Sequence, residues 1–551
     1  MKTENTDTTS FVAERWAELI ELHADATFLE LDKFQDYGFT GAVLWTSFMD
    51  GLTDYYFALP VVYEKYAKFN VDRDDGRIRR AAEFLHEFVR RAHHRNITVM
   101  HLYHPCNLVP GAVKMGSRYE DALPAIERHY PDWLNAAGEP DFSKEYFYDF
   151  MAAEIDQFFT EIPEVDGLVC FNCECSVFTP SVLRHQDLSI AEIVERAVDT
   201  VYGVCAKHGK RMAHDIHSGG ANEEMSRAII AACRKHPEIV IGADCTYSDW
   251  QFFLDTTPWV PEMKKNNPFY ISFDVAGEFF GKGVMLGGWP GWITKHFANI
   301  REHRPDILSC RTALPKYSSF ASALTRINLQ IIGGLGHNGT VDIDAELEEW
   351  WGREFSGDWC DELKEMIATT MEPAIGMIFH INGVGMINLA GLYNSIWVNE
   401  AEKKVWFWEQ WAEPGTPIDF AMIPEFGSKT RPFAELQEEK RNGIALCENA
   451  IATIERLDLP EDTCRFFVTR FRQAVDVANG FLHMMRAAYA MHQLAVNHYD
   501  ETIADPAAML TGAQTSVREQ ADAMTERWGP DFFERIADQM REFADSIHLA
   551  K

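Results

Sequence analysis

Residues 166–217 decide the fold: an apolar run, DGLVCFNCE (166–174), an amphipathic stretch, IAEIVERAVDTVYGVCAKHG (190–209), and a second run, KRMAHDIH (210–217). The short runs read as buried strands and the long stretch as a helix with one apolar face. A strand joined to the next strand through a helix makes a parallel pair.

The same alternation extends in both directions. Upstream lie GAVLWTS (41–47), the helical pattern RIRRAAEFLHEFVRRAHHR (77–95) and ITVMHLYH (97–104). Downstream lie EIVIGADC (238–245), PFYISFDV (268–275) and DILSCRTA (306–313). Seven such units predict a (β/α)₈ TIM barrel over about residues 10–345. The eighth strand is not marked; ATFLEL (26–31) is a candidate that reads equally well as helix. Beyond residue 345 the strand signal fades. AELEEWWGREF (345–355) and the periodic stretches 433–457, 461–498 and 506–549 predict a mostly α-helical C-terminal domain over 346–551. No catalytic motif stands out there, and its expected role is packing or dimerisation.

Polar residues gather at the C-terminal ends of the runs: Trp45, His104, Glu174, His217, Asp244, Asp274 and Arg311. In a barrel that end carries the chemistry, and a buried strand otherwise has little reason to end in a charge.

The bulk numbers narrow the function. With 551 residues, 46% hydrophobic and 25% charged, the chain is long enough for two globular domains. A net charge of −33 repels nucleic acid and anionic membrane, so neither is expected as a partner. The opening MKTENTDTTSF has no apolar core of signal-peptide length, and no run is long enough to span a membrane. Together with eleven cysteines in no disulfide-like pattern, this points to a cytoplasmic protein with reduced thiols.

Cleaving a glycosidic bond normally takes two carboxyl groups, one to protonate the leaving oxygen and one to activate water or attack the sugar. Glu174 fits the acid: it closes DGLVCFNCE between Cys173 and Cys175, which solvate a carboxylate poorly and favour a raised pKa. Asp249, in CTYSDWQ, and Glu278, in AGEFFGKG, each lie just past a strand and fit the base. Any one alone reads as a structural carboxylate; three at the same end of one barrel favour catalysis. Trp45, Tyr247, Trp250, Trp289 and Trp292 are candidates for stacking on sugar faces. His104, His214, Asp215, His217, Asp244, Asp274 and Arg311 are candidates for bonding sugar hydroxyls.

A rival reading takes His214, Asp215 and His217 with Glu174, Asp244 and Glu278 as ligands of a divalent metal. It makes the protein a metal-dependent sugar isomerase, epimerase or aldolase; the hydrolase reading needs no metal and no cofactor. A third reading is a sugar-binding protein without catalysis. Cys170, Cys173 and Cys175 do not make a zinc knuckle: no second ligand pair follows, and strand alternation sends Cys170 to the opposite face.

At these residues the sequence resembles the family 67 glycoside hydrolases, the α-glucuronidases. EIPEVDGLVCFNCEC (161–175) is similar to that family's acid-bearing strand, EIVIGADCTYSDWQ (238–251) to its aspartate-bearing strand, and NPFYISFDVAGEFFGKG (267–283) to its glutamate-bearing strand. RINLQIIGGLGHNGTVDIDAELEEWWGREF (326–355) is similar to the segment that leaves the barrel. The resemblance covers roughly residues 35–355. It implies an inverting mechanism with Glu174 as acid and Asp249 and Glu278 serving the water, an exo-acting enzyme on a carbohydrate substrate, and a homodimer.

One departure bears on the substrate. That family holds a uronate carboxylate with cations, and the matching positions here are Cys170, Asp244 and His214, or Asp215 in the neighbouring register. The expectation is therefore a neutral sugar, or one bearing an amine, next to the scissile bond. Lys282, Lys295, Arg311 and Lys316 are the neighbouring cations that would restore the clamp.

Overall fold

A computed structural model of the chain describes residues 10–20, 24–45, 59–72, 75–105, 123–171, 183, 186–216, 223–246, 250, 255–278, 280–314, 317–355, 361–379, 396–399, 404–407, 433–496, 505–533 and 535–546. Eight parallel strands close on themselves: β1 (Glu14–Ile20), β2 (Gly41–Trp45), β3 (Thr98–Tyr103), β4 (Gly167–Phe171), β5 (Arg211–Asp215), β6 (Val240–Asp244), β7 (Phe269–Asp274) and β8 (Ile307–Leu314). Each pairs with the next, and β8 returns to β1 through Trp16↔Ser309 and Glu18↔Arg311. A two-residue strand, β9 (Tyr317–Ser318), adds antiparallel to β8.

The expected strands from 41–47 to 306–313 are all present as β2 to β8. The eighth comes from an unexpected place. ATFLEL is helical, inside α1 (Ala24–Leu31), and the missing strand is ERWAELI, which is β1. Its Ala, Glu and Leu favour helix, but pairing on both edges overrides that preference. Its two glutamates are matched on the inside of the barrel. Arg211 forks onto Glu14 at 2.9 and 3.0 Å, and Trp16 Nε1 donates to Glu14 at 2.9 Å.

The helices outside the sheet are α2 (Asp75–His93), α3 (Leu123–His129), α4 (Tyr146–Glu161), α5 (Ile190–Lys207), α6 (Glu223–Cys233), the short α7 (Val260–Met263), α8 (Pro290–Ile300) and α9 (Arg326–Asn338). α2 buries Ile78, Ala81, Leu85, Phe88, Val89 and Ala92, a spacing that lays one stripe against the strands. Ser189 and Glu192 form a reciprocal capping box that starts α5. α10 (Ile343–Glu354) begins at Asp342, whose carboxylate accepts from the amides of Asp344 and Ala345.

A helical region follows: α11 (Asp361–Phe379), α12 (Phe433–Ile454), the long α13 (Glu461–Val496), α14 (Pro506–Trp528) and α15 (Ile536–Ser546). Here α13 packs against α12 and α14, α11 packs against α12, and α15 packs against α14. A small hairpin, β10 (Ile396–Asn399) with β11 (Lys404–Phe407), lies between α11 and α12 in the chain. Among the described residues no helix is long and apolar enough to cross a membrane.

Candidate active site

Side chains in a strand alternate between the barrel interior and the helix layer. Tyr270 donates to Asp215, and the hydroxyls of Ser272 and Ser309 both donate to Glu18, each at 2.6 Å. These contacts cross the barrel, so they fix which face is inside. Glu18, Trp45, Asp215, Asp244, Ser272, Asp274 and Arg311 then share the inner face in the C-terminal half. His104, just past β3, joins them: its ring packs on Phe171, centroids 5.0 Å apart, and edge-on to Trp45 at 6.3 Å.

The same alternation sends His214 outward. It neighbours Asp215 in β5, is buried, and bonds the carbonyl of Asp215 at 3.0 Å through Nδ1. Burial lowers its pKa to about 4, so it is a neutral packing residue. The expectation that His214 binds the sugar is corrected by strand parity. Cys170 points the same way, close to Cys205 of α5 and Cys233 of α6, and burial raises its thiol pKa. Four expected residues, Glu174, His217, Tyr247 and Asp249, lie outside the described residues.

At the mouth, Arg311 and Glu278 form an ion pair with both side chains 8% exposed. Arg311 comes from β8. Glu278 comes from the turn after β7, the strand beside it, where Asp274 is the register partner of Arg311. The guanidinium lies 3.9 Å from the ring centre of Trp250 and 5.4 Å from that of Trp45. Both rings lie within cation–π range of a desolvated cation. Two of the five rings expected to meet a sugar, Trp45 and Trp250, therefore lie against Arg311. Trp250 is anchored by its Nε1, which donates to the Ser272 carbonyl at 2.9 Å. Trp289 and Trp292 are core residues packed around Phe280.

Acidic groups crowd the cation. Asp274 accepts from the amides of Ala276, Gly277 and Glu278 at 3.0, 2.7 and 2.5 Å. Burial and the neighbouring Glu278 still push its pKa up to about 7, against Arg311 and the amides. Glu18, the register partner of Arg311 on β1, is also pushed up, by burial first and by Asp244, against Arg311 and the two serines. Glu18 was not legible as a site residue. The signal available was the pair Ser272 and Ser309, two positions before Asp274 and Arg311, which need a polar partner inside the barrel. Lys282 is a second buried cation, with its ammonium 5.1 Å from the ring centre of Tyr317. Lys295 is exposed on α8, and Lys316 lies outside the described residues.

No protein-family model matches the chain, and no curated protein matches it. Solved structures do. One of them, described as a "GH138 enzyme targeting pectin rhamnogalacturonan II", aligns over 94% of this chain at 12% identity with a TM-score of 0.55. The chain spans 62% of the length of that protein. CpGH84B aligns over 97% of this chain and 77% of its own at 7% identity and a TM-score of 0.43. At these identities the likeness is one of fold, and the second is too remote to argue from.

Proposed function

We propose that this chain is a glycoside hydrolase, exo-acting and inverting, on a carbohydrate with a neutral sugar next to the scissile bond. The observation that carries the reading is the Glu278–Arg311 pair: a buried carboxylate on the loop after β7, at the end of the barrel where such folds do their chemistry. The fold likeness to a GH138 enzyme supports the class. In this reading Glu174 is the general acid, and Asp249 and Glu278 hold and deprotonate the attacking water. Arg311 fixes the Glu278 carboxylate in one rotamer, so an oxygen faces the water without a search over conformers. Asp215 and Asp244 line the pocket as hydroxyl acceptors, and His104 closes it beside Trp45. The helical region mediates a homodimer.

The test is a screen of aryl glycosides and oligosaccharides with the purified protein, followed by proton NMR of the first-formed sugar. Inversion is the expected result. A first product with the substrate's own anomeric configuration would overturn the inverting assignment, and no turnover of any glycoside would overturn the class.

A further inference from the structure

We propose that Asp274 is a positioning residue, and that its carboxylate holds the turn that presents Glu278. This rests on the reading of Glu278 as part of the water-activating pair. The turn has little freedom. Its first two amides, Val275 and Ala276, donate to the Arg311 carbonyl at 3.2 and 3.0 Å. The Asp274 carboxylate then takes Ala276 and Gly277 on Oδ1 and Glu278 on Oδ2. Its own carbonyl accepts from Trp289 Nε1 at 2.9 Å. Gly277 has φ +81°, and a Cβ there would lie 2.6 Å from the Trp289 ring. Backbone and side chain of Glu278 are thus tied to the same two neighbouring strand ends. The amides come through Asp274 on β7, and the carboxylate through Arg311 on β8.

With both oxygens taken up by backbone amides, Asp274 is poorly placed to serve a sugar hydroxyl, which is the role its strand-end position suggests. An amide side chain in its place keeps one acceptor oxygen and turns an NH₂ toward amides that also donate. The Glu278 turn then loses its clamp while the charge pair with Arg311 is untouched.

The experiment is amide hydrogen exchange by mass spectrometry on the full-length D274N protein, with steady-state kinetics on the best aryl glycoside. Expected is exchange of the 276–278 amides faster by about tenfold or more, the factor that loss of one net hydrogen bond gives. Amides of β3 should keep their wild-type rates. Expected with it is a kcat lower by about 10- to 100-fold at near-constant KM. G277A strains the same turn without touching Asp274 and should give the same pattern, which keeps the test usable if D274N folds poorly. Unchanged exchange at 276–278, or a rise matched in β3, would overturn the proposal. A KM effect with unchanged kcat would also overturn it, by making Asp274 a substrate contact. If the wild type cleaves no glycoside while the 276–278 amides still respond, the positioning stands and the hydrolase reading falls.

Discussion

Arg311 and Glu278 face each other across the gap between β8 and the turn after β7, and each is the other's charge partner with both side chains nearly buried. Breaking one side of such a pair leaves an uncompensated buried charge, at a cost of about 3–5 kcal/mol. Arg311→Met should therefore lower the unfolding temperature more than Arg311→Met combined with Glu278→Gln, which removes both charges. A double-mutant cycle by thermal unfolding checks this. Additive losses would mean the two side chains are screened from each other.

Glu174→Gln should lose roughly 10²–10⁴-fold in rate on glycosides with poor leaving groups, the usual worth of one positioned proton donor. It should lose much less on an activated aryl glycoside, whose leaving group needs no proton. Equal losses on both substrates would take the acid role away from Glu174.

What was legible in the sequence was the part written in apolar runs. β2 to β8 each bury their outward residues under a helix, and their polar ends stand out because a buried strand rarely ends in a charge. β1 was hidden because its inward positions, Glu14, Trp16 and Glu18, are polar or aromatic and matched only by residues distant in sequence. Arg211 satisfies Glu14, and Ser272 and Ser309 satisfy Glu18. His214 misled for a related reason. Tyr270, two strands away on β7, shows with Arg211 that Asp215 rather than His214 faces inward.

Glu30 gives a pH-dependent prediction. It lies in α1, 5% exposed, and burial raises its pKa to about 8, against Ser318 and Lys33. A folded-state pKa above the unfolded value of 4.5 means the protonated form is favoured on folding. The associated stability is full below that unfolded value and is lost as pH rises through about 8, with a slope of up to about 1.4 kcal/mol for each pH unit. Glu30→Gln, which cannot ionise, should gain stability relative to wild type between about pH 5 and pH 9. A stability difference that stays constant across that range would show that Glu30 is ionised throughout.

The helical region is joined to the barrel beside the Glu278 loop. Glu372 of α11 accepts from the amides of Gly291 and Trp292 at 2.8 and 2.6 Å, capping the start of α8. A few residues on, the Phe379 ring lies where a Cβ on Gly281 would have to sit. Glu372→Ala leaves two amides short of an acceptor at a helix N-terminus, each costing about 1–3 kcal/mol. It should lower the unfolding temperature by several degrees. A change of less than about one degree would mean that water replaces the carboxylate at little cost.

The last prediction concerns the substrate. Five carboxylates, Glu18, Asp215, Asp244, Asp274 and Glu278, are buried at the C-terminal end of the barrel, with two buried cations, Arg311 and Lys282. The charge of Arg311 is already matched by Glu278, and its guanidinium packs against Trp250 and Trp45. A uronic acid would add a further negative charge to a pocket whose guanidinium is already matched, and an unpaired buried charge costs several kcal/mol. Neutral hydroxyls, or an amine, suit the inward-facing carboxylates of Asp215 and Asp244. The comparison to make is kcat/KM for matched aryl hexosides and aryl glucuronides, with glucuronoxylan fragments as the natural acidic substrate. Neutral substrates should lead by about 100-fold or more, which corresponds to about 2.7 kcal/mol of discrimination. Efficient release of 4-O-methylglucuronic acid would refute the claim. It would mean that Arg311 exchanges Glu278 for the substrate's carboxylate on binding, and Arg311→Met should then cost the acidic substrate far more turnover than the neutral ones.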